Sequence, residues 1–262
     1  MASGFTEEFV EVGGAKVQIF KGGSGEPLLV LHGAGGNLGW LRFAQLLAEK
    51  FAVYAPFHPG FGKSDRPGWI ETIQDLACFY TWFQEEQELE GVRAIGFSMG
   101  GWLAAEMAAM CRHSFSKLLL VGAAGIKPQQ GEIADLFIIP RTQLPQVLIH
   151  DPEQAPEYDA LFGHTPSPEE LELIERNWEM AARLCWKPYM HDPRLPSLLA
   201  RVNVPTRLVW GRQDRLIPLE CGQLYQKAIP GAELVVIEDC GHLPEVEKPD
   251  EFVRTALDFL AN

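Results

Sequence analysis

Gly96-Phe97-Ser98-Met99-Gly100 sets one serine between two glycines, after the apolar run Arg93–Phe97 and before a helical stretch from Met99 to about Cys111. A serine on a sharp strand-to-helix turn takes strained backbone angles, and its neighbours must be small for the chain to fold back. Such a turn lifts the hydroxyl clear of a sheet and aims a helix N-terminus at the reacting centre, where a developing oxyanion is stabilised. The chemistry that fits is attack by Ser98 on a carbonyl carbon. A hydroxyl is a weak nucleophile, so it needs a base that is itself held by an acid. The candidate base is His242, in Cys240-Gly241-His242-Leu243-Pro244, and the candidate acid is Asp214, in Gly211-Arg212-Gln213-Asp214. Asp239 and Glu220 are rival acids, but Asp239 stands only three residues before His242, a spacing that suits a local turn. The oxyanion requires two backbone N–H groups. These are expected from Met99 and from the loop His32-Gly33-Ala34-Gly35-Gly36, with Ala34 the first choice and Gly35 the second.

Residues so far apart in the chain meet only if a sheet brings them to one edge. A hairpin is expected first, Phe9–Val12 and Ala15–Phe20 around Gly13-Gly14. Short apolar runs then alternate with helical segments: Leu28–Leu31, Phe51–Ala55, Arg93–Phe97, Lys117–Val121, Thr206–Trp210 and Glu233–Ile237. The helices between them are expected near Trp40–Lys50, Thr72–Leu89, Met99–Cys111, Glu220–Ile229 and Pro249–Leu260. Runs that are apolar on both faces are buried parallel strands covered by helices on both sides. Ser98, Asp214, His242 and the His32–Gly36 loop each follow such a run, and carboxyl ends of strands are where open α/β sheets bind ligands. The rhythm stops from Ile126 to Pro196, 71 residues without a convincing strand that hold 10 of the 19 prolines. Its one strong helix, Pro168–Trp186, carries Leu171, Ile174, Trp178, Ala181 and Cys185 at helical spacing. The expected organisation is a core of residues 1–125 and 197–262, with residues 126–196 as a helical cap over the ligand edge.

Charge and composition trim the partners. The chain has 262 residues, with 22 Lys+Arg against 35 Asp+Glu, a net charge of −13. No basic run exists to follow a phosphate backbone, so nucleic acid is excluded, and neutral acyl substrates suit the charge better than dianionic ones. No apolar run approaches the roughly 20 residues that span a bilayer, and the start, Met1 to Glu8, is acidic where a signal peptide is basic. The five cysteines contain no C-x-x-C pair, so neither a disulfide framework nor a zinc site is expected. The expectation is a cytoplasmic monomer or homodimer acting on a small-molecule acyl substrate, with no metal. Gly62-Lys63-Ser64 lacks the first glycine of a phosphate-binding loop, since Phe57 occupies that position, and no G-x-G-x-x-G follows the first strand.

The glycine loop His32–Gly36, Pro59-Gly60-Phe61-Gly62-Lys63-Ser64, the Ser98 turn, Asp214 and Gly241-His242, in that order, resemble the α/β-hydrolase superfamily. The likeness covers nearly the whole chain outside the insertion. It implies an eight-stranded, mostly parallel sheet with a helical cap after the sixth strand, no cofactor, and a two-step acyl-enzyme mechanism run by Ser98, His242 and Asp214. Relatives on this fold that use an aspartate nucleophile, the haloalkane dehalogenases and epoxide hydrolases, do not match Ser98, and Phe57-His58 stands where their segment carries an aspartate.

The wording around Ser98, Asp214 and His242 looks closest to the carbon–carbon hydrolases of meta-cleavage products. That likeness implies a cap-helix arginine for a dienoate carboxylate and a tryptophan after the catalytic histidine. Here Asn177 falls at the arginine's position, with Arg176 and Arg183 nearby, and Leu243 replaces the tryptophan. A neutral side chain cannot replace a bidentate carboxylate clamp. The leading expectation is therefore a serine hydrolase of the carboxylesterase kind, cleaving an ester or lactone. Carbon–carbon hydrolysis is the alternative, and a ligand-binding receptor on the same fold is the non-enzyme alternative. Trp40, Phe162, Trp178, Arg183, Trp186 and Leu243 are the candidate substrate-binding residues, with Met99, Met180 and Met190 as further wall candidates.

Overall fold

The computed structural model describes residues 4–262. The acidic-start reading begins at Met1–Ser3, which lie outside the described residues. A hairpin of β1 (Phe5–Val12) and β2 (Ala15–Gly22) opens the chain. β3 (Glu26–Leu31), α1 (Arg42–Ala48), β4 (Phe51–Pro56), α2 (Ile73–Glu86), β5 (Val92–Phe97), α3 (Met99–Met110) and β6 (Phe115–Val121) follow. Next come α4 (Leu144–Leu148), α5 (Tyr158–Phe162), α6 (Pro168–Cys185) and α7 (Leu195–Leu198). The chain closes with β7 (Thr206–Gly211), α8 (Leu219–Ala228), β8 (Glu233–Ile237), α9 (Pro244–Glu247) and α10 (Pro249–Leu260).

The strands form one eight-stranded sheet in the order β1-β2-β4-β3-β5-β6-β7-β8. β1/β2 and β2/β4 pair antiparallel and every other pair is parallel, which is the α/β-hydrolase architecture expected from the sequence. The central apolar runs, β3, β5, β6 and β7, read as strands because they are buried on both faces, whereas the edge strand β8 is mostly half-buried. In β6, Leu118 and Leu120 enter one apolar cluster while Leu119 and Val121 enter the other, the twofold alternation of a pleated strand. α2, α3 and α8 supply the first cluster and α1 and α10 the second. Helix starts follow local chemistry: Thr72 and Asp75 form a reciprocal cap on α2, and Ser167 and Glu170 do so on α6, with Pro168 in its first turn.

Among the described residues no strand forms between β6 and β7, where α4 to α7 lie instead. The expected junction at 196/197 nevertheless cuts through α7. Leu195 and Leu199 are fully buried, and α7 and the 3-10 turn Leu199–Arg201 contact α3 and α8, so this end of the segment packs with the core. α9 is a second departure. One four-residue turn is too short to display a helical period, and it starts two residues after His242. Among the described residues no helix is long and apolar enough to cross a membrane.

α10 bears directly on the Ser98 turn. Phe252, fully buried, lies 5.6 Å from the ring of Phe97 and 6.1 Å from that of Phe43, which is itself 5.4 Å from Phe97. Phe97 is bonded to Ser98. Phe252→Ala should lower stability by about 3–5 kcal/mol, read as a fall in the urea midpoint at unchanged slope.

Candidate active site

Ser98 sits between β5 and α3 with φ 51° and ψ −115°, a backbone region that non-glycine residues rarely enter. Its N–H donates to Val121 O on β6 (2.8 Å), and its carbonyl accepts from Gly101, Trp102 and Ala124. The flanking glycines are required by close approach. A Cβ on Gly96 would lie 2.5 Å from Gly100 O, and one on Gly100 would collide with the carbonyls of Leu31 and His32. The helix start is thus pressed onto the end of β3, beside the glycine loop.

His242 and Asp214 meet as expected. His242 Nδ1 lies 2.8 Å from Asp214 Oδ2, while Asp214 Oδ1 accepts the N–H groups of Leu216 and Ile217, both at 2.9 Å. The carboxylate can only accept, so Nδ1 carries the proton and Nε2 of the neutral ring keeps its lone pair. Both side chains are almost fully buried. Burial disfavours the imidazolium, but the charge and hydrogen bond of Asp214 outweigh it and hold His242 above its ordinary value. The ring also packs against Gly122, where a Cβ would lie 3.1 Å from Nδ1. The inserted segment ties this loop down: His242 N–H donates to Leu148 O, and Glu247 accepts from both Gly241 N–H and His150 N–H. The rival acids are elsewhere. Glu220 accepts from the N–H groups of Gln129 and Gln130, and Asp239 is exposed in a turn at φ 48°.

The glycine loop is held by two neutral histidines. His58 N–H donates to His32 Nε2 (3.0 Å), and His58 Nε2 lies 3.0 Å from His32 O. Tyr80 Oη lies 2.5 Å from His58 Nδ1, and His32 Nδ1 lies 2.7 Å from Gly33 O. Only one set of tautomers satisfies all four contacts: Nδ1–H on His32, Nε2–H on His58, and the Tyr80 hydroxyl donating. Burial pushes His32 down to about 4, and burial together with the neighbouring His32 holds His58 well below its usual value. Asn177 of α6 clamps the loop from the other side, donating to Gly35 O (3.0 Å) and accepting from Gly62 N–H (2.9 Å). The N–H groups of Ala34 and Met99 donate to no described residue, so both are free to hold an oxyanion.

Ser98, His242 and this loop line one cavity of about 250 Å³. Of the candidate substrate-binding residues, Trp40, Phe162, Trp178 and Leu243 line it; Arg183 and Trp186 do not. Arg183 turns away from the cavity to Gly68 O and Glu71. Trp186, 54% exposed, faces outward against Phe137 and Tyr189. Position on one helix specified neither direction, because the turn on which a side chain leaves the cavity face depends on how the helix is laid down. Met99, Met180 and Met190 are fully buried core residues, and Met180 packs on Gly60. Arg176 bonds Gly60 O and Ser64 O. The sequence reading missed Arg141, an exposed arginine lining the cavity with no partner among the described residues, and Glu245. Glu245 had one signal, its position just past His242. Among the described residues no group of three or more His, Cys, Asp or Glu is placed to hold a metal ion.

A family model described as the alpha/beta hydrolase family matches residues 28–255. A 2-hydroxy-6-oxononadienedioate/2-hydroxy-6-oxononatrienedioate hydrolase of Pseudomonas putida is 30% identical over 258 residues, covering 91% of this chain and 89% of its own. Among solved structures, a membrane phospholipase A is 26% identical with a TM-score of 0.81, covering 98% of this chain and 86% of that one. A 2-hydroxy-6-oxo-6-phenylhexa-2,4-dienoate hydrolase from Rhodococcus sp. strain RHA1 superimposes with a TM-score of 0.80 at 23% identity, covering 98% and 99% of the two chains.

The electrostatics of the buried pair can be read directly. By NMR titration, the His242 ring should have a pKa above 6.5. Asp214→Asn removes the main stabilising charge and leaves the burial, so the pKa should drop below 6.5. An unchanged value in the variant would show that Asp214 does not set it.

Proposed function

The chain belongs to the alpha/beta hydrolase family, and from that premise we propose that it is a serine hydrolase that cleaves an ester or lactone through an acyl-enzyme. The observation that carries this reading is the strained Ser98 turn opening into the same cavity as the His242–Asp214 pair. Ser98 Oγ attacks the carbonyl carbon as His242 Nε2 takes its proton, and the N–H groups of Ala34 and Met99 receive the negative oxygen. The tetrahedral intermediate collapses, and the alcohol leaves with the proton from His242. Water then attacks the ester formed with Ser98, again giving its proton to His242. The acid is released and the Ser98 hydroxyl restored. Residues of the inserted segment, Leu144, Phe162 and Trp178 among them, supply an apolar wall, the role of a cap.

Carbon–carbon hydrolysis of a carboxylate-bearing dienoate is the second reading, favoured by one residue. Arg176 is consumed by backbone carbonyls and Arg183 by Gly68 O and Glu71, but Arg141 lines the cavity unpaired among the described residues and offers a cation to a substrate carboxylate. The Pseudomonas putida relative is named for hydrolysis of a dienedioate.

Ser98 should be labelled by a fluorophosphonate probe, and p-nitrophenyl esters should be turned over. Ser98→Ala should abolish labelling and reduce kcat by roughly a thousandfold or more. Folded protein that neither labels nor hydrolyses any ester would sink the enzyme reading in favour of a ligand-binding protein. A dienoate ring-fission product turned over far faster than every ester would select the second reading. Because His242 must be neutral to act as base and its pKa is raised, kcat/KM should rise with pH along a limb whose midpoint lies above 6.5.

A further inference from the structure

Two buried polar atoms of cavity-lining residues have no hydrogen-bond partner among the described residues: Trp40 Nε1 and Glu245 Oε2. The wall they share is mainly apolar, with Val30, Phe43, Leu144 and Phe162 nearby. Buried polar groups are nearly always satisfied, and an orphan in a binding cavity marks a place where a ligand can supply the missing partner. The indole N–H is a donor only. Glu245, 3% exposed, makes no ion pair among the described residues. The charged and titratable groups around it are His242 and Glu247 from its own stretch, Glu157 ahead of α5, and Asp214 behind His242. Arg42 of α1 meets Glu157 through its backbone N–H and spends its guanidinium on Asp250, while Arg141 is the one Arg or Lys among the lining residues. Burial above all, with Glu247 and Glu157 adding to it, raises the Glu245 carboxyl to about 8 against the opposing pull of its own backbone N–H and of His242. Near neutral pH it is therefore largely protonated and has an O–H to give.

We propose that Trp40 and Glu245 form a two-donor subsite for a neutral oxygen acceptor, so that the favoured substrate is an ester or lactone carrying a second carbonyl or ether oxygen. The inference rests on the serine-hydrolase reading and names its substrate class. Two donors set the choice. An ammonium group would meet the Trp40 N–H with a donor of its own, and a carboxylate would enter among Asp214, Glu157 and Glu247. A carbonyl or ether oxygen satisfies both groups without bringing a charge into an apolar cavity. Glu245 lines the same cavity as Ser98 and His242 and is near enough to His242 for their charges to act on one another, so the second oxygen would bind on the side of the base.

The test compares p-nitrophenyl levulinate with p-nitrophenyl pentanoate, which differ by one oxo group, together with longer esters carrying that group at successive carbons. In the wild type, kcat/KM for the best-placed oxo ester should exceed that of its oxo-free partner by roughly tenfold or more. Glu245→Gln keeps a neutral donor and should retain most of this ratio. Glu245→Met should bring it close to one, and Trp40→Phe should lower it severalfold. As pH rises through about 8, Glu245 ionises and loses its proton, so the wild-type ratio should fall while that of Glu245→Gln stays flat. A wild type with no oxo preference at any position, a Glu245→Met variant that keeps the ratio, or a preference for amino-substituted esters would overturn the proposal. If no ester is hydrolysed, the ester reading fails separately. The subsite is then measured by calorimetry on Ser98→Ala with acetonylacetone against its monoketone analogue. Tighter binding of the diketone, lost in Ser98→Ala/Glu245→Met, supports the subsite, and equal binding overturns it.

Discussion

Ser98 holds φ 51° and ψ −115° at the carboxyl end of a central strand, a conformation that costs of order 1–3 kcal/mol and persists only where its surroundings over-determine it. Much of the fold serves that purpose. β5 is paired on both sides, by β3 and β6, so the strand cannot slide. The Ser98 N–H is taken by Val121, its carbonyl accepts three N–H groups, and Phe97 is wedged between Phe43 and Phe252. Glycines at 96 and 100 let α3 press on the end of β3, which brings the Met99 N–H and the His32–Gly36 loop to one place. Packing energy spread over the core is converted here into the position of one hydroxyl and the N–H groups around it.

The electrostatics of the cavity follow from the same burial. Asp214 holds the His242 ring above its ordinary value by offering a charge that outweighs the cost of removing the imidazolium from water. Glu245 and Glu247 lie close by, and burial raises both carboxyls above the ordinary carboxylate value. Glu247 is satisfied by two backbone N–H groups and acts as a tie between the histidine loop and the inserted segment; Glu245 retains an orphan oxygen. Neighbouring acids three and five residues past His242 thus differ in kind through their hydrogen bonds alone. The glycine loop shows the complementary strategy: His32 and His58 are kept neutral, because each ring needs one nitrogen as an acceptor.

Residues of the segment between β6 and β7 line the cavity and also hold the loops around it. Leu148 receives the N–H of His242, His150 donates to Glu247, and Asn177 bridges Gly35 and Gly62. These four hydrogen bonds, to segments at the carboxyl edge of the sheet, couple the inserted segment to the groups that would do the chemistry. Asn177, which from sequence is only a neutral residue in an arginine's place, has a positioning contact of its own.

The strands, their order in the chain, and the residues just beyond their carboxyl ends were legible in the sequence, because strand burial and tight turns write short-range patterns. Two-sided apolar runs marked β3 to β8, and a serine between glycines could only be a sharp turn. From those followed the placement of Ser98, Asp214, His242 and the glycine loop at one edge of the sheet. The lining of the cavity was not legible. Trp178 and Trp186 lie two turns apart on or beside one helix, and only the first faces the cavity; Arg183 is spent on Gly68 and Glu71 while Arg141, on an unremarked turn, is left unpaired. The end of the insertion was misplaced for a similar reason, since α7 packs with α3 and α8 despite its proline. Local spacing determines where a strand stops and a turn begins. Which side chains then face a common space, and which hydrogen-bonding groups stay unspent, depends on residues a hundred positions away that meet only when the layers close.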